Sequence, residues 1–184
     1  TLSSSSAASD VYKRQELPLN EITIAEVLKK NGYKTFYSGK WHLGSEGHYP
    51  EDQGFDINIG GFEKGSPMGG YYTPYKNPKL DDGPEGEYLT DRLTQETIDF
   101  IDSRDESKPF AAFLAFYNVH TPIQENKEFY DYYKEKLKDY DDIEPVTKKE
   151  GDAITLLNQR NAKYASMVHA LSLIHISEPT RLRR

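Results

Sequence analysis

Thr35-Phe36-Tyr37-Ser38-Gly39-Lys40-Trp41-His42-Leu43-Gly44 decides how this chain is read. Its first four residues are β-branched, aromatic or small, the composition of a strand, and the expected strand runs from Tyr33 to Ser38. Gly39 and Gly44 then let the backbone turn sharply on either side of a cation, an indole and an imidazole. In open α/β sheets, turns at the carboxyl ends of strands are where ligands bind. Lys40 offers a compact positive charge with three donors, and His42 gives or takes a proton near neutral pH. The pair suits an anionic ester. A lysine or histidine in a loop is by itself ordinary surface chemistry, so the reading needs support from elsewhere in the chain.

On the amino side, Thr23-Ile24-Ala25-Glu26 fits a capping box, Ile24, Val27 and Leu28 form an apolar face, and Asn31-Gly32 supplies a left-handed stop. Helix, strand and turn make one α/β unit. On the carboxyl side, Ser45 to Glu87 is rich in Gly, Pro and Tyr and reads as a long ordered loop, with His48 as a loop histidine. Tyr88 to Arg104 reads as an amphipathic helix with Leu89, Leu93, Thr97 and Phe100-Ile101 on one stripe. Phe110 to Tyr117 is a nearly continuous apolar run of strand length, expected to be buried on both faces of a parallel sheet. It is followed by Asn118-Val119-His120-Thr121-Pro122, so a second imidazole arrives where the first did, just past a strand.

Glu125 to Tyr140 is charged and Tyr-rich and reads as a surface helix or a substrate-side excursion, and Asp139 to Gly151 as a loop. Its Asp141-Asp142 pair reads as solvated surface, so no metal ligands are assigned. A last helix is expected from about Ile154, with Leu157, Tyr164, Val168 and Leu171 on its apolar face and His169 packed beside it or exposed.

The 184 residues are 36% hydrophobic and include 14 Tyr, 8 Phe and no Cys. The absence of cysteine excludes disulfides, thiolate metal sites and cysteine nucleophiles from this stretch. No apolar run is long enough for a membrane span. The formal charge of −7 argues against nucleic acid as a partner, since nucleic acids are bound through basic surfaces. A few cations in a cleft still bind an anion locally, because salt screens the diffuse negative surface beyond about 8 Å.

Gly32-Tyr33-Lys34-Thr35-Phe36-Tyr37-Ser38-Gly39-Lys40-Trp41-His42-Leu43-Gly44 resembles a signature of the sulfatase family, arylsulfatase-like hydrolases of the alkaline phosphatase superfamily. Phe113 to Pro122 is similar to the family's segment in which a strand ends in a His followed closely by Pro. The fold class that follows is α/β, a partial alkaline phosphatase-like sheet of mainly parallel strands flanked by helices. The resemblance implies hydrolysis of small-molecule or polysaccharide sulfate esters through a formylglycine beside a calcium ion, in a periplasmic or secreted enzyme. It also implies roles for three residues of this chain. Lys40 would neutralise charge on the sulfate, His42 would hold the nucleophile and take its proton, and His120 would contact sulfate oxygens and assist departure of the alcohol.

Residues 1–15 and 172–184 resemble translated sequencing-adapter DNA at the edges of a metagenomic read, which would make them a non-native leader and tail around 16–171. Setting aside a net +1 and a net +2 takes the charge from −7 to −10. The Cys/Ser-x-Pro-x-Arg motif that yields formylglycine does not occur in 16–171, nor does the family's paired-Asp calcium motif. The expectation is therefore an internal, inactive fragment of a sulfatase catalytic domain whose nucleophile and calcium ligands lie outside this chain. Two other readings stay open: a phosphomonoester or phosphonate ester hydrolase of the same superfamily, and a non-catalytic glycan-binding module using the tyrosines of 71–75 and the helix of 125–140.

Overall fold

The Thr23 hydroxyl accepts the Glu26 N–H at 3.1 Å while the Glu26 carboxylate accepts the Thr23 N–H at 2.7 Å, and this reciprocal cap starts helix α1 (Ile24–Lys30). Asn31 and Gly32, with φ +83°, end it as expected. The computed structural model describes residues 16–140 and 144–172, so the leader, nearly all of the tail and the Asp141-Asp142 pair lie outside the described residues. The chain divides between Tyr117 and Asn118 into two compact units.

In the first unit, β1 (Lys34–Gly39) is the centre of a three-stranded sheet. It pairs in parallel with β2 (Ile57–Ile59) on one side and β3 (Phe110–Ala115) on the other, with Phe36 opposite Ile57 and Ala112. The expected parallel sheet is present, with β2 as a short strand inside the long loop. Alternation along β1 assigns its two faces. Phe36 stacks on Phe100 of α2 (Leu89–Ser103) at 4.4 Å between centroids, and the Ser38 hydroxyl donates to the Leu93 carbonyl at 3.4 Å. On the opposite face Tyr37 packs with Ala25 of α1, Phe55, Trp41 and Phe113. The stripe Leu89, Leu93, Thr97 and Phe100 is the buried face of α2, as its spacing predicts.

Three expectations for this unit fail. Ile24 and Val27 stay exposed, and α1 buries Ala25 instead. The helix is tied by the Thr23 hydroxyl to the Gln53 carbonyl at 2.7 Å and is approached so closely by Gly54 that the small alanine faces inward. The residues of β3 are half-buried rather than buried, because β3 is an edge strand. Tyr71 and Tyr75 are core residues, 0% and 2% exposed, so they are not a glycan-binding surface. The Tyr75 hydroxyl donates to Glu87, which also faces Arg92 at 3.6 Å, and this tie draws the tyrosine loop down onto the start of α2.

In the second unit, Asn126 caps α3 (Lys127–Leu137), which continues into a 3₁₀ turn at Lys138–Tyr140, as the surface-helix reading requires. A hairpin of β4 (Thr147–Glu150) and β5 (Ala153–Leu156), closed through Gly151 at φ +61°, replaces the end of the expected loop and the start of the expected last helix. Gly151-Asp152 between two β-capable runs is the turn signal that predicts it. The hairpin removes Ile154 and Leu157 from the last helix, and α4 runs over Ala162–Ser172. Its buried side is Ala162, Ala165, Ser166, Met167 and Ala170, and Tyr164 and Val168 stay exposed. Small residues let α3 approach closely, and the Ser166 hydroxyl accepts the Asn126 N–H at 3.0 Å. His169 stacks on Phe129 at 4.1 Å, a packing role.

Asp56 locks the start of the sheet. Its carboxylate accepts the Thr35 N–H at 3.0 Å and faces Lys29 at 2.9 Å and Lys34 at 3.7 Å. Burial alone would raise its pKa, but the Thr35 N–H and the two ammonium groups outweigh it and hold the carboxyl below the usual range. A carboxyl depressed in the folded state stabilises above its unfolded pKa of about 3.9 and loses that contribution as pH falls through the folded value. Urea denaturation should show stability declining below about pH 4, and Asp56→Ala should cost about 1–2 kcal/mol at pH 7 while flattening the decline, the half-exposed lysines being screened. Gly39→Ala should cost at least about 2 kcal/mol in the same assay, since φ is +107° and a Cβ there would lie 2.0 Å from the Ala115 carbonyl oxygen.

Candidate active site

Parallel pairing sends the carboxyl ends of β1, β2 and β3 to one edge of the sheet, and the residues beyond those ends line it. Lys40 and His42 follow β1 directly. Gly60 to Gly65 follows β2, and Phe116-Tyr117 follows β3. The Gly60 carbonyl accepts the Tyr117 hydroxyl at 3.1 Å and the Asn77 amide at 2.9 Å, and the Tyr117 carbonyl accepts the Tyr71 hydroxyl at 2.8 Å. Burial pushes the Tyr117 phenol well above its ordinary value, so it remains a donor. These buried bonds fix the strand ends against one another.

The Lys40-Trp41-His42 segment is fastened through the Lys40 and His42 backbone and the Trp41 side chain. The Lys40 N–H donates to the Ala115 carbonyl at 2.7 Å, the Lys40 carbonyl accepts the Tyr37 hydroxyl, and the His42 N–H donates to the Phe62 carbonyl at 3.1 Å. Burial pushes the Tyr37 pKa up to about 12, so this phenol also remains a donor through the physiological range. Trp41 sets its ring edge-on to Tyr37 and Phe55, and its indole N–H donates to the His48 carbonyl at 2.8 Å. His42 adopts φ +59°, a left-handed conformation that non-glycine residues visit rarely and that is enriched at functional sites. Gly65 lies against its ring, where a Cβ would fall 2.3 Å from Nδ1.

The Lys40 side chain is half-buried and the His42 side chain exposed. Neither has an ion-pair or hydrogen-bond partner among the described residues. An unneutralised ammonium and an imidazole two residues apart on one turn, beyond the carboxyl end of a parallel strand, can receive an anion and exchange a proton with it.

His120, the third residue of the expected set, follows β3 by five residues and lies in the second unit, where its Nδ1 is 2.9 Å from the Thr121 carbonyl. His48 stays a loop histidine, 3.5 Å from Glu16. Sequence reasoning missed Tyr37, Phe62, Gly65 and Tyr117 as supports. Only the glycines of Gly60-Gly61 and Gly65 signal a close backbone approach, while Tyr37 and Tyr117 are indistinguishable in the sequence from ordinary strand tyrosines. Among the described residues, no group of three or more His, Asp or Glu side chains is arranged to hold a metal.

The sulfatase family model matches residues 1–171. Mouse arylsulfatase J is 33% identical over 134 residues, covering 64% of this chain and 22% of the relative. The N-acetylglucosamine-6-O-sulfatase of Bacteroides thetaiotaomicron is 39% identical over 94 residues, 48% of this chain and 15% of that one. Among solved structures, Ps i-CgsB in complex with k-i-k-neocarrahexaose superposes with a TM-score of 0.56 at 25% identity, over 87% of this chain and 36% of its own. BT4656 in complex with its substrate D-glucosamine-2-N,6-O-disulfate gives a TM-score of 0.53 at 26% identity, over 67% of this chain and 24% of its own. The chain thus spans a minor part of the length of the relatives it matches, 22% of arylsulfatase J. Sheet, helices and neighbours agree on an alkaline phosphatase-like α/β fold, and the chain belongs to the sulfatase family.

Proposed function

We propose that this chain supplies part of the active site of an enzyme that hydrolyses sulfate esters, with a sulfated saccharide as the substrate class. The carrying observation is the unpartnered Lys40 ammonium and His42 imidazole on a rigidly tied turn at the carboxyl edge of the sheet. The saccharide preference is supported by the neighbours bound to neocarrahexaose and to a disulfated glucosamine.

Lys40 neutralises the charge gathered on the sulfate oxygens as the sulfur–oxygen bond breaks. His42 is placed to give or take a proton at the reacting centre, and His120 to hydrogen-bond the sulfate and give a proton to the departing alcohol oxygen. The nucleophile proposed is formylglycine and the metal proposed is calcium, which supply covalent capture of the sulfate and charge stabilisation. The described residues of this chain do not fit either group. No metal cluster occurs among them, and the one Ser-x-Pro-x-Arg match, Ser177 to Arg181, lies downstream of the Lys40 turn rather than upstream and outside the described residues.

In an enzyme containing this chain together with the formylglycine segment, Lys40→Ala, His42→Ala and His120→Ala should each lower turnover of a sulfated glucosamine by about 10²–10⁴-fold. Sulfate release measured beside phosphate release from the matching phosphate ester checks the reaction class. Near-normal turnover in any variant would remove that residue from the site, and preferred phosphate release would replace the sulfatase reading.

A further inference from the structure

Trp41 lies between the two reactive side chains but turns away from the open edge, into the cluster of Tyr37 and Phe55. Its ring meets Tyr37 at 5.2 Å and 87°, and Phe55 at 6.3 Å and 84°, both edge-on. Its indole N–H is spent on the His48 carbonyl at 2.8 Å, on the far arm of the Leu43–His48 loop. Tyr37 reaches the same tripeptide from inside the strand, donating its hydroxyl to the Lys40 carbonyl. A strand normally releases its backbone at its last residue. Here the buried Tyr37 hydroxyl holds the peptide group after the strand, the half-buried Trp41 indole ties the same tripeptide to the His48 carbonyl, and the chain enters the left-handed turn that His42 adopts at φ +59°.

We infer that Trp41 and Tyr37 are positioning residues for Lys40 and His42, fixing the ammonium and the imidazole as a preformed anion clamp without touching the anion themselves. The inference rests on the reading of Lys40 and His42 as an anion site. Its physical content is preorganisation: a lysine on a loose loop loses side-chain and backbone freedom when it closes on a sulfate, and a fastened backbone has already lost part of it. Each hydrogen bond can be removed while its ring is kept. Trp41→Phe deletes the indole N–H, and Tyr37→Phe deletes the hydroxyl.

The experiment uses the full 184-residue chain and inorganic sulfate as the probe, following the His42 ring proton resonance by NMR during titration, with a thermal melt of every variant. Sulfate should displace the wild-type resonance saturably, and Lys40→Ala should abolish the response. Trp41→Phe and Tyr37→Phe should each weaken apparent sulfate affinity about three- to tenfold, the worth of one hydrogen bond, while the variant keeps a cooperative melt. A merely structural role would lower the melting temperature and leave the affinity of the folded fraction unchanged, which would overturn the inference. Loss of the response in Lys40→Ala with wild-type affinity in both aromatic variants would overturn the positioning role alone. Absence of a wild-type response, or its survival in Lys40→Ala, would overturn the anion site and the positioning role with it. If Trp41→Phe fails to melt cooperatively, Tyr37→Phe decides.

Discussion

The approach of Gly39 to the Ala115 carbonyl sets the geometry of the first unit. A side chain at residue 39 would occupy the space the carbonyl oxygen takes, so β1 and β3 reach this separation only through glycine. The same carbonyl accepts the Lys40 N–H, which means that the last pairing of the sheet and the first fastening of the Lys40 turn share one oxygen atom. Where β1 ends and where Lys40 begins its turn are therefore a single structural decision. The parallel register then follows residue by residue back to Lys34 opposite Phe110, where Asp56 ties the strand start to α1 through Lys29.

Charge and burial are separated along the turn. Phenols and an indole, whose donors remain protonated in apolar surroundings, hold the backbone from inside. The half-buried Lys40 and exposed His42 side chains have no carboxylate partner among the described residues. Acidic side chains of the first unit are engaged with other partners, Glu63 with Tyr49 and Lys64, and Glu51 with Lys79, in a chain of net charge −7. Local focusing rather than overall charge decides what such a site attracts.

The sequence made legible what depends on local chemistry. The capping box of α1, the stripe of α2, the strand before Gly39 and the apolar run of β3 were readable because each rests on residues adjacent in the chain or one helical turn apart. What failed depends on neighbours. Ile24 and Val27 have the spacing of a buried face, yet the tie from Thr23 to Gln53 turns Ala25 inward. The tyrosines of 71–75 look like a glycan platform until Glu87 and Asp82 draw Tyr75 into the core. Ile154 and Leu157 mimic helical periodicity, although the chain pairs across Gly151-Asp152 as a hairpin. Lys40 and His42 are proposed from their place after a strand, whereas Tyr37 and Tyr117 take their supporting places only through bonds to carbonyls that are far along the chain or three residues away.

Trp41 is the only tryptophan in the chain, and its ring packs near-perpendicular to Tyr37 and Phe55 with its N–H on a loop carbonyl. Any emission excited in the indole band therefore originates beside Lys40 and His42 and nowhere else. Loosening of the turn would expose the ring to water and shift that emission to longer wavelength, while the remainder of the fold stays spectroscopically silent. The protein thus carries an intrinsic fluorophore at the centre of its proposed site.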